Sequence, residues 1–213
     1  MRKMKEFVND SNYKVSPKVD GVQIVCPFYK VWRAMCYRVS SAKTKTVQPT
    51  YRGVDCCDEW LSFMKFRSWM IGQKWEGMQL DKDILVRGNK VYAPDTCAFV
   101  PSKINKLFIE SNAKRGNWAI GVYKMNKPDD MVNEYKKPFV AQLRKECLGT
   151  FETEEEAHAA WQKGKELKIR SVANEWKNSN DQSFRDDVFR AILDRADILK
   201  RDRENGVITI SLN

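Results

Sequence analysis

The residues of this chain best suited to chemistry are Gln79-Leu80-Asp81-Lys82-Asp83-Ile84-Leu85, followed by Gly88-Asn89 and then by Lys103-Ile104-Asn105. A short apolar strand runs into carboxylates, a Gly-Asn pair reverses the chain, and an amide arrives later on a helix. Such a segment brings hard oxygen ligands together from a turn and a helix, the donor set that Mg2+ takes. A cation held there polarises a phosphoryl oxygen and acidifies bound water, so the chemistry is metal-assisted hydrolysis. Strand alternation would put Asp81 and Asp83 on one face, where a shared cation offsets their repulsion and Asp83 can accept a proton or add a ligand. Free lysine titrates at about 10.4, and two flanking aspartates keep Lys82 charged. It therefore suits a phosphate contact or transition-state stabiliser better than a general base. Asp58, Glu59 and Asn89 are second-tier candidates. The plainer alternative for Asp81-Lys82-Asp83 is a solvated turn held by local ion pairs.

Other reactive side chains are few. The one histidine, His158, lies in a helical stretch of the second half and reads as a partly exposed structural residue. Six cysteines in a chain without a secretory signal read as packed thiols rather than a disulfide framework. A structural Zn2+ on some of Cys26, Cys36, Cys56, Cys57 and Cys97 is the alternative, not favoured because no Cys-x-x-Cys pair occurs. The N-terminus is polar and no apolar run is long enough to span a bilayer, so the expectation is a cytoplasmic protein with no membrane partner.

The net charge of +10 and pI near 9.3 point to a polyanionic partner. Their distribution is more telling: Glu152, Glu154, Glu155 and Glu156 gather at a helix start, whereas Lys124, Lys136, Lys137, Arg144 and Lys145 lie on or beside strands. A segregated basic sheet suits a polyanion. Solvated charge on an ordinary basic protein is the alternative.

The elements that must position these residues follow from periodicity. Cys26 to Val39 places Phe28, Val31, Trp32, Met35, Cys36 and Val39 at helical spacing behind Pro27, and Asp58 to Ile71 does the same with Trp60, Phe63, Phe66 and Met70. A polar link is expected over Ser40 to Pro49, a hairpin over Leu80 to Val91 and a helix over Pro101 to Phe108. A linker over Glu110 to Asn117 separates this from strands at Ala119 to Met125, Phe139 to Arg144 and Glu146 to Phe151, with an acidic loop holding Pro128, Asp129 and Asp130 between the first two. Thr153 and Glu156 form a capping box that starts a helix reaching towards Trp176. A last helix over Phe184 to Arg203 carries balanced charge, and Val207 to Ile210 reads as a terminal edge strand.

Gly121-Val122, Ala141-Gln142-Leu143-Arg144, Leu148-Gly149-Thr150-Phe151 and Thr153-x-Glu155-Glu156-Ala157-x-x-Ala160 resemble, in order and spacing, the AP2 DNA-binding domain of plant transcription factors and phage endonucleases. The resemblance covers about sixty residues and implies a three-stranded sheet that lies in the major groove, with Lys124, Gln142, Arg144 and Lys145 as DNA contacts. The sequence departs from the pattern at Cys147 and in the acidic loop. The first half resembles the companion nuclease domain of phage HNH homing endonucleases, through Cys57-x-Glu59-Trp60, Leu80-Asp81-Lys82-Asp83-Ile84-Leu85, Gly88-Asn89-Lys90-x-Tyr92, Cys97-x-Phe99-Val100-Pro101 and Ile104-Asn105. That resemblance implies Asp81 and Asn105 as metal ligands and puts Lys82 where the family has its histidine base.

The expected fold is α+β. A small HNH-like unit of the ββα-metal kind, packed with helices, spans 1–112; an AP2-like three-stranded antiparallel sheet with its helix spans 113–178; a C-terminal helix and tail span 179–213. The expected function is a phage-type endonuclease that hydrolyses DNA phosphodiesters with Mg2+, nicking or cutting both strands, in the host cytoplasm if phage-encoded. The alternative is a catalytically inactive DNA-binding protein on the same scaffold, acting as regulator or inhibitor.

Overall fold

The structure, a computed structural model, describes residues 5–109, 117–126, 135–179 and 181–212. The chain forms two compact units, 1–102 and 103–213, each mixing helices with small sheets. The linker expected over Glu110 to Asn117, apart from Asn117, and the acidic loop of Pro128, Asp129 and Asp130 lie outside the described residues.

In the first unit, α1 (Pro27–Ser40) and α3 (Phe63–Ile71) form the walls of an aromatic core. Pro27 opens α1, where its missing N–H costs nothing. Ser62 caps α3 by accepting from the Lys65 amide, and Asp10 binds both the Ser62 hydroxyl and the Met64 amide. The helices meet through Trp32 against Phe63 and Tyr29 against Phe63, and the Trp32 indole donates to the Trp60 carbonyl at 2.8 Å. Trp60, Phe66, Trp69 and Phe99 continue this ring-on-ring packing to the sheet at the candidate site. The link expected over Ser40 to Pro49 contains a short helix, α2 (Ala42–Val47), because Ser41 supplies an N-cap to the Thr44 amide. The long helix expected over Asp58 to Ile71 is broken: Asp58–Leu61 is one 3-10 turn and α3 starts afresh after Ser62.

The strands are short and paired across sequence. Beyond the exposed hairpin of β1 (Lys18–Val19) and β2 (Val22–Gln23), β3 (Asp55–Cys56) pairs in parallel with β5 (Val91–Tyr92). β4 (Gln79–Asp81) pairs antiparallel with β6 (Ala98–Val100), with Leu80 opposite Phe99 and Asp81 opposite Ala98. The hairpin expected over Leu80 to Val91 is therefore not formed. Phe99 and Val100 are fully apolar and take the buried edge of β4, while Val91 and Tyr92 complete a different pair.

The second unit begins earlier than composition suggested. After the short α4 (Ser102–Asn105), Leu107 and Phe108 are buried, the Lys165 ammonium donates to the Leu107 carbonyl, and the Arg195 guanidinium lies 5.1 Å over the Phe108 ring. β7 (Val122–Lys124), β8 (Phe139–Leu143) and β9 (Glu146–Phe151) form one antiparallel sheet in chain order. The long helix α5 (Glu154–Asn178) packs on all three strands and starts at the expected capping box, whose two reciprocal hydrogen bonds are both present. Gly121 and Gly164 let the helix approach. A Cβ at Gly121 would sit 1.9 Å from the Trp161 ring, and one at Gly164 would sit 2.8 Å from Leu148.

The segment 179–213 is not a separate tail. α6 (Asp186–Glu204) packs along α5, and residues 207–212 are held by buried polar side chains rather than by strand pairing. The Gln162 amide donates to the Val207 carbonyl and the Thr209 hydroxyl, the Thr209 amide donates to His158 Nε2, and Arg195 donates to the Leu212 carbonyl. The edge strand expected over Val207 to Ile210 is replaced by these bonds. Among the described residues, no helix is long and apolar enough to cross a membrane.

Candidate functional site

The acidic segment is shaped by its own backbone amides. β4 stops at Asp81 because Asp81 Oδ1 accepts from the amides of Asp83 at 2.9 Å and Ile84 at 2.7 Å, which turns the chain away from the ladder and buries Ile84. Asp83 therefore reaches Asp81 through a turn, and the strand alternation expected for the pair does not apply. Burial, then repulsion from Asp83, pushes the Asp81 carboxyl up to about 6 in spite of its amide bonds. Burial pulls Asp83 upward too, but the Lys82 ammonium beside it outweighs that and holds it below the ordinary carboxylate range.

Lys82 points inward. It is 6% exposed, and its Nζ donates to Asp83 Oδ2 at 2.7 Å and to the Asn89 carbonyl at 3.2 Å. Asn89 follows Gly88, which holds the left-handed φ of 76° that the reversal needs, and it closes the loop from the other side. Its amide nitrogen donates to the carbonyls of Lys82 and Val91, and its oxygen accepts from the Val91 amide at 3.0 Å. The expected solvent-facing phosphate contact is thus a buried ammonium that neutralises Asp83. A buried lysine is kept charged only by such a partner.

Three residues that sequence reading did not assign to the site, Arg38, Tyr51 and Tyr92, stand beside this loop. Arg38, from the last turn of α1, is half-buried; it donates to the Tyr92 hydroxyl at 3.2 Å, lies 5.6 Å over the Tyr51 ring, and feels the charge of Asp81. Tyr92 was legible as part of the Gly88-Asn89-Lys90-x-Tyr92 block, but nothing in the sequence connects it with Arg38, 54 residues away. Of the second-tier candidates, Asp58 is exposed and pairs with Lys5 at 3.1 Å, and Glu59 is exposed on the same 3-10 turn. Asn105 closes α4, half-buried, in the second unit, whereas Asp81, Lys82 and Asp83 belong to the first.

The chemistry of Asp81 and Asp83 fits a hard cation: two carboxylates lie close enough to repel, and a dication would offset that repulsion. Lys82 already supplies one positive charge there. Among the described residues, no three His, Cys, Asp or Glu side chains converge on a common point. Burial pushes the thiols of Cys36, Cys56 and Cys97 up to about 12, which keeps them protonated and packed. His158 is fully buried rather than partly exposed. Its Nδ1 bonds the Ile120 carbonyl at 2.9 Å and its Nε2 accepts from Thr209, so the neutral Nδ1–H tautomer is the one that satisfies both.

The second candidate surface is the sheet of the second unit. Lys124 is exposed, with its ammonium 5.6 Å from the Phe139 ring, its partner across the strands, and 6.0 Å from Trp118. Gln142 is half-buried at a register shift between Ala141 and Gln142. Arg144 and Lys145 are the two turn residues between β8 and β9, and both are exposed. Arg144 holds φ at 59°, where glycine is usual, and one of its nitrogens donates to the Lys106 carbonyl at 3.1 Å. Lys124, Arg144 and Lys145 present charge to solvent, and Gln142 offers a neutral amide that is less accessible.

No protein-family profile, curated protein or solved structure matches this chain.

Proposed function

We propose that this chain is a DNA-binding protein that hydrolyses DNA phosphodiesters, built like the phage HNH endonucleases that carry an AP2-like module. The observation that carries the reading is the chain order around Asp81. The acidic residues end the first of two antiparallel strands, and the second strand is followed directly by the short helix that carries Asn105. That is the strand, strand, helix order in which such nucleases set their ligands. The antiparallel sheet with Lys124, Arg144 and Lys145 exposed supports DNA as the substrate.

Asp81 would hold Mg2+, with Asp83 beside it. The cation when bound supplies a Lewis acid for a phosphoryl oxygen and an acidified water. Asp83 stays ionised at neutral pH because Lys82 is bonded to it, and the same bond keeps the ammonium out of solvent. The sheet residues hold the duplex through its phosphates.

The test is supercoiled-plasmid nicking by the purified full chain with Mg2+, with EDTA as control, alongside Asp81→Ala. Metal-dependent nicking that Asp81→Ala abolishes while DNA binding persists is the expected result. Nicking that Asp81→Ala leaves unchanged removes this site from the reaction. The internal ion pair of Lys82 and Asp83 favours a second reading, a DNA-binding regulator in which lysine has replaced the catalytic base and satisfies the acidic loop without metal. Specific duplex binding with no nicking of any substrate supports that reading.

A further inference from the structure

We propose that Arg38, framed by Tyr51 and Tyr92, is a phosphodiester-holding residue beside the acidic strand end. For its substrate this rests on the nuclease reading above. A guanidinium withdrawn from water is normally satisfied by a carboxylate or by several acceptors, since it carries five N–H donors in a planar fork. Arg38 is half-buried, yet its bonding is sparse: one hydrogen bond to the Tyr92 hydroxyl and one face on the Tyr51 ring. Among the described residues it makes no ion pair, although the Asp81 carboxylate lies within electrostatic reach.

The surrounding groups explain why it is held this way. Tyr92 is 2% exposed and fixed by the β3–β5 pairing, so its hydroxyl is a rigid anchor. Tyr51 sits on a 3-10 turn started by Pro49, and the neighbouring Thr50 carbonyl accepts from Lys90. Lys82, at the turn itself, is committed to Asp83 and Asn89. The acidic turn therefore has beside it an arginine that two aromatic rings orient and that, among the described residues, makes no ion pair. A guanidinium fork of this kind matches the two non-bridging oxygens of a phosphodiester, and the tyrosine frame pre-orders it so that less entropy is lost on contact. An arginine there would place the phosphate against Asp81, which a carboxylate alone repels.

The experiment uses the full chain and the dinucleotide TpT, a single phosphodiester, as the probe. The Arg38 Nε–H signal is assigned by its disappearance in Arg38→Lys, then followed in the wild type as TpT is added, with thymidine as control. A saturable shift with TpT and none with thymidine supports the site. A signal that answers Asp81→Asn but not TpT shows a counter-ion to Asp81 and overturns the proposal. Nicking by Arg38→Lys supplies the second readout: about a tenfold or greater fall in rate at saturating DNA, with duplex affinity changed less than about threefold, is expected. If TpT moves the signal but the wild type does not nick, the phosphate site stands and the nuclease reading fails. If the wild type nicks while the signal is silent and Arg38→Lys nicks normally, the nuclease stands and the Arg38 site fails.

Discussion

Asp81 and Asp83 are two residues apart and are held in opposite electrostatic states, which yields opposite stability predictions. The folded value of about 6 for Asp81 lies above the ordinary carboxylate value of about 3.9. Ionising it therefore costs folding free energy, and the protein loses stability from this group as pH rises from about 4 through 6. Asp81→Asn keeps an oxygen for the Asp83 and Ile84 amides and removes the charge. It should stabilise the protein by about 1–2 kcal/mol at pH 7.5 and by much less at pH 4.5, in urea unfolding followed by tryptophan fluorescence. An equal difference at both pH values would mean an ordinary carboxyl. Asp83 is depressed, so its contribution is present above the ordinary value and lost as pH falls through its own. Asp83→Asn leaves the Lys82 ammonium buried without its counter-charge and should destabilise by about 3 kcal/mol at pH 7.5. Mg2+ adds an independent check: it should raise the stability of the wild type and not that of Asp81→Asn if Asp81 is a ligand. The residues of this loop were legible in sequence, but their electrostatic roles were not. The sequence offers Lys82 as a phosphate contact, and the Asp83 carboxylate together with the Asn89 carbonyl, seven residues on, hold it inward.

At the level of elements, the joint between α5 and the sheet depends on two glycines of different kinds. Gly121 has a φ of 78°, and its missing Cβ is replaced by the Trp161 ring. Gly121→Ala forces both a left-handed alanine and displacement of a buried indole, and should cost about 3 kcal/mol or more. Gly164 lies within the helix, where alanine gains about 1 kcal/mol, and it meets only the movable end of Leu148. Gly164→Ala should fall within about 1 kcal/mol of wild type in thermal unfolding, so the two substitutions separate a rigid contact from a yielding one. Similar losses at both would mean that the helix does not seat on Gly121 as described. The tail is a second joint. Truncation after Gly206 strips Gln162 of the Val207 and Thr209 partners and His158 and Arg195 of one partner each, all three nearly inaccessible to water, and should destabilise by about 2–4 kcal/mol. A tail that only frays on the surface would change unfolding by less than about 0.5 kcal/mol.

For the molecule as a whole, the division after Ser102 changes which fragment ought to fold. Composition suggests about 110 to 178, but Leu107 and Phe108 before it and α6 with the tail after it are packed into the same unit. Residues 103–213 should fold and retain duplex binding, whereas 110–178 should be largely unfolded by circular dichroism. Arg144→Gly with Lys145→Ala then separates binding from folding. Glycine relieves the positive φ of Arg144, so stability should hold or rise, while DNA affinity falls and the slope of log affinity against log salt flattens by about one for every phosphate no longer neutralised. Unchanged affinity in that double variant would move the DNA surface off this hairpin.

What the sequence by itself determined is whatever depends on neighbours along the chain. Pro27 and the 3.6-residue stripe set α1, the Thr153–Glu156 box set the start of α5, and β9 runs over Glu146–Phe151 as its pattern required. The tertiary structure decided what depends on partners far away in sequence. β4 can pair with Val91 or with Phe99, and both are apolar; Phe99 wins because it also stacks on Trp69 in the aromatic core. Val207 to Ile210 has the composition of a strand, yet it is held by side chains of α5 and α6 because those helices bury donors and acceptors that only a backbone can satisfy. Arg38 came to the acidic turn for the same reason: its position follows from the hydroxyl of a tyrosine buried by a different strand pair, and no local pattern encodes it.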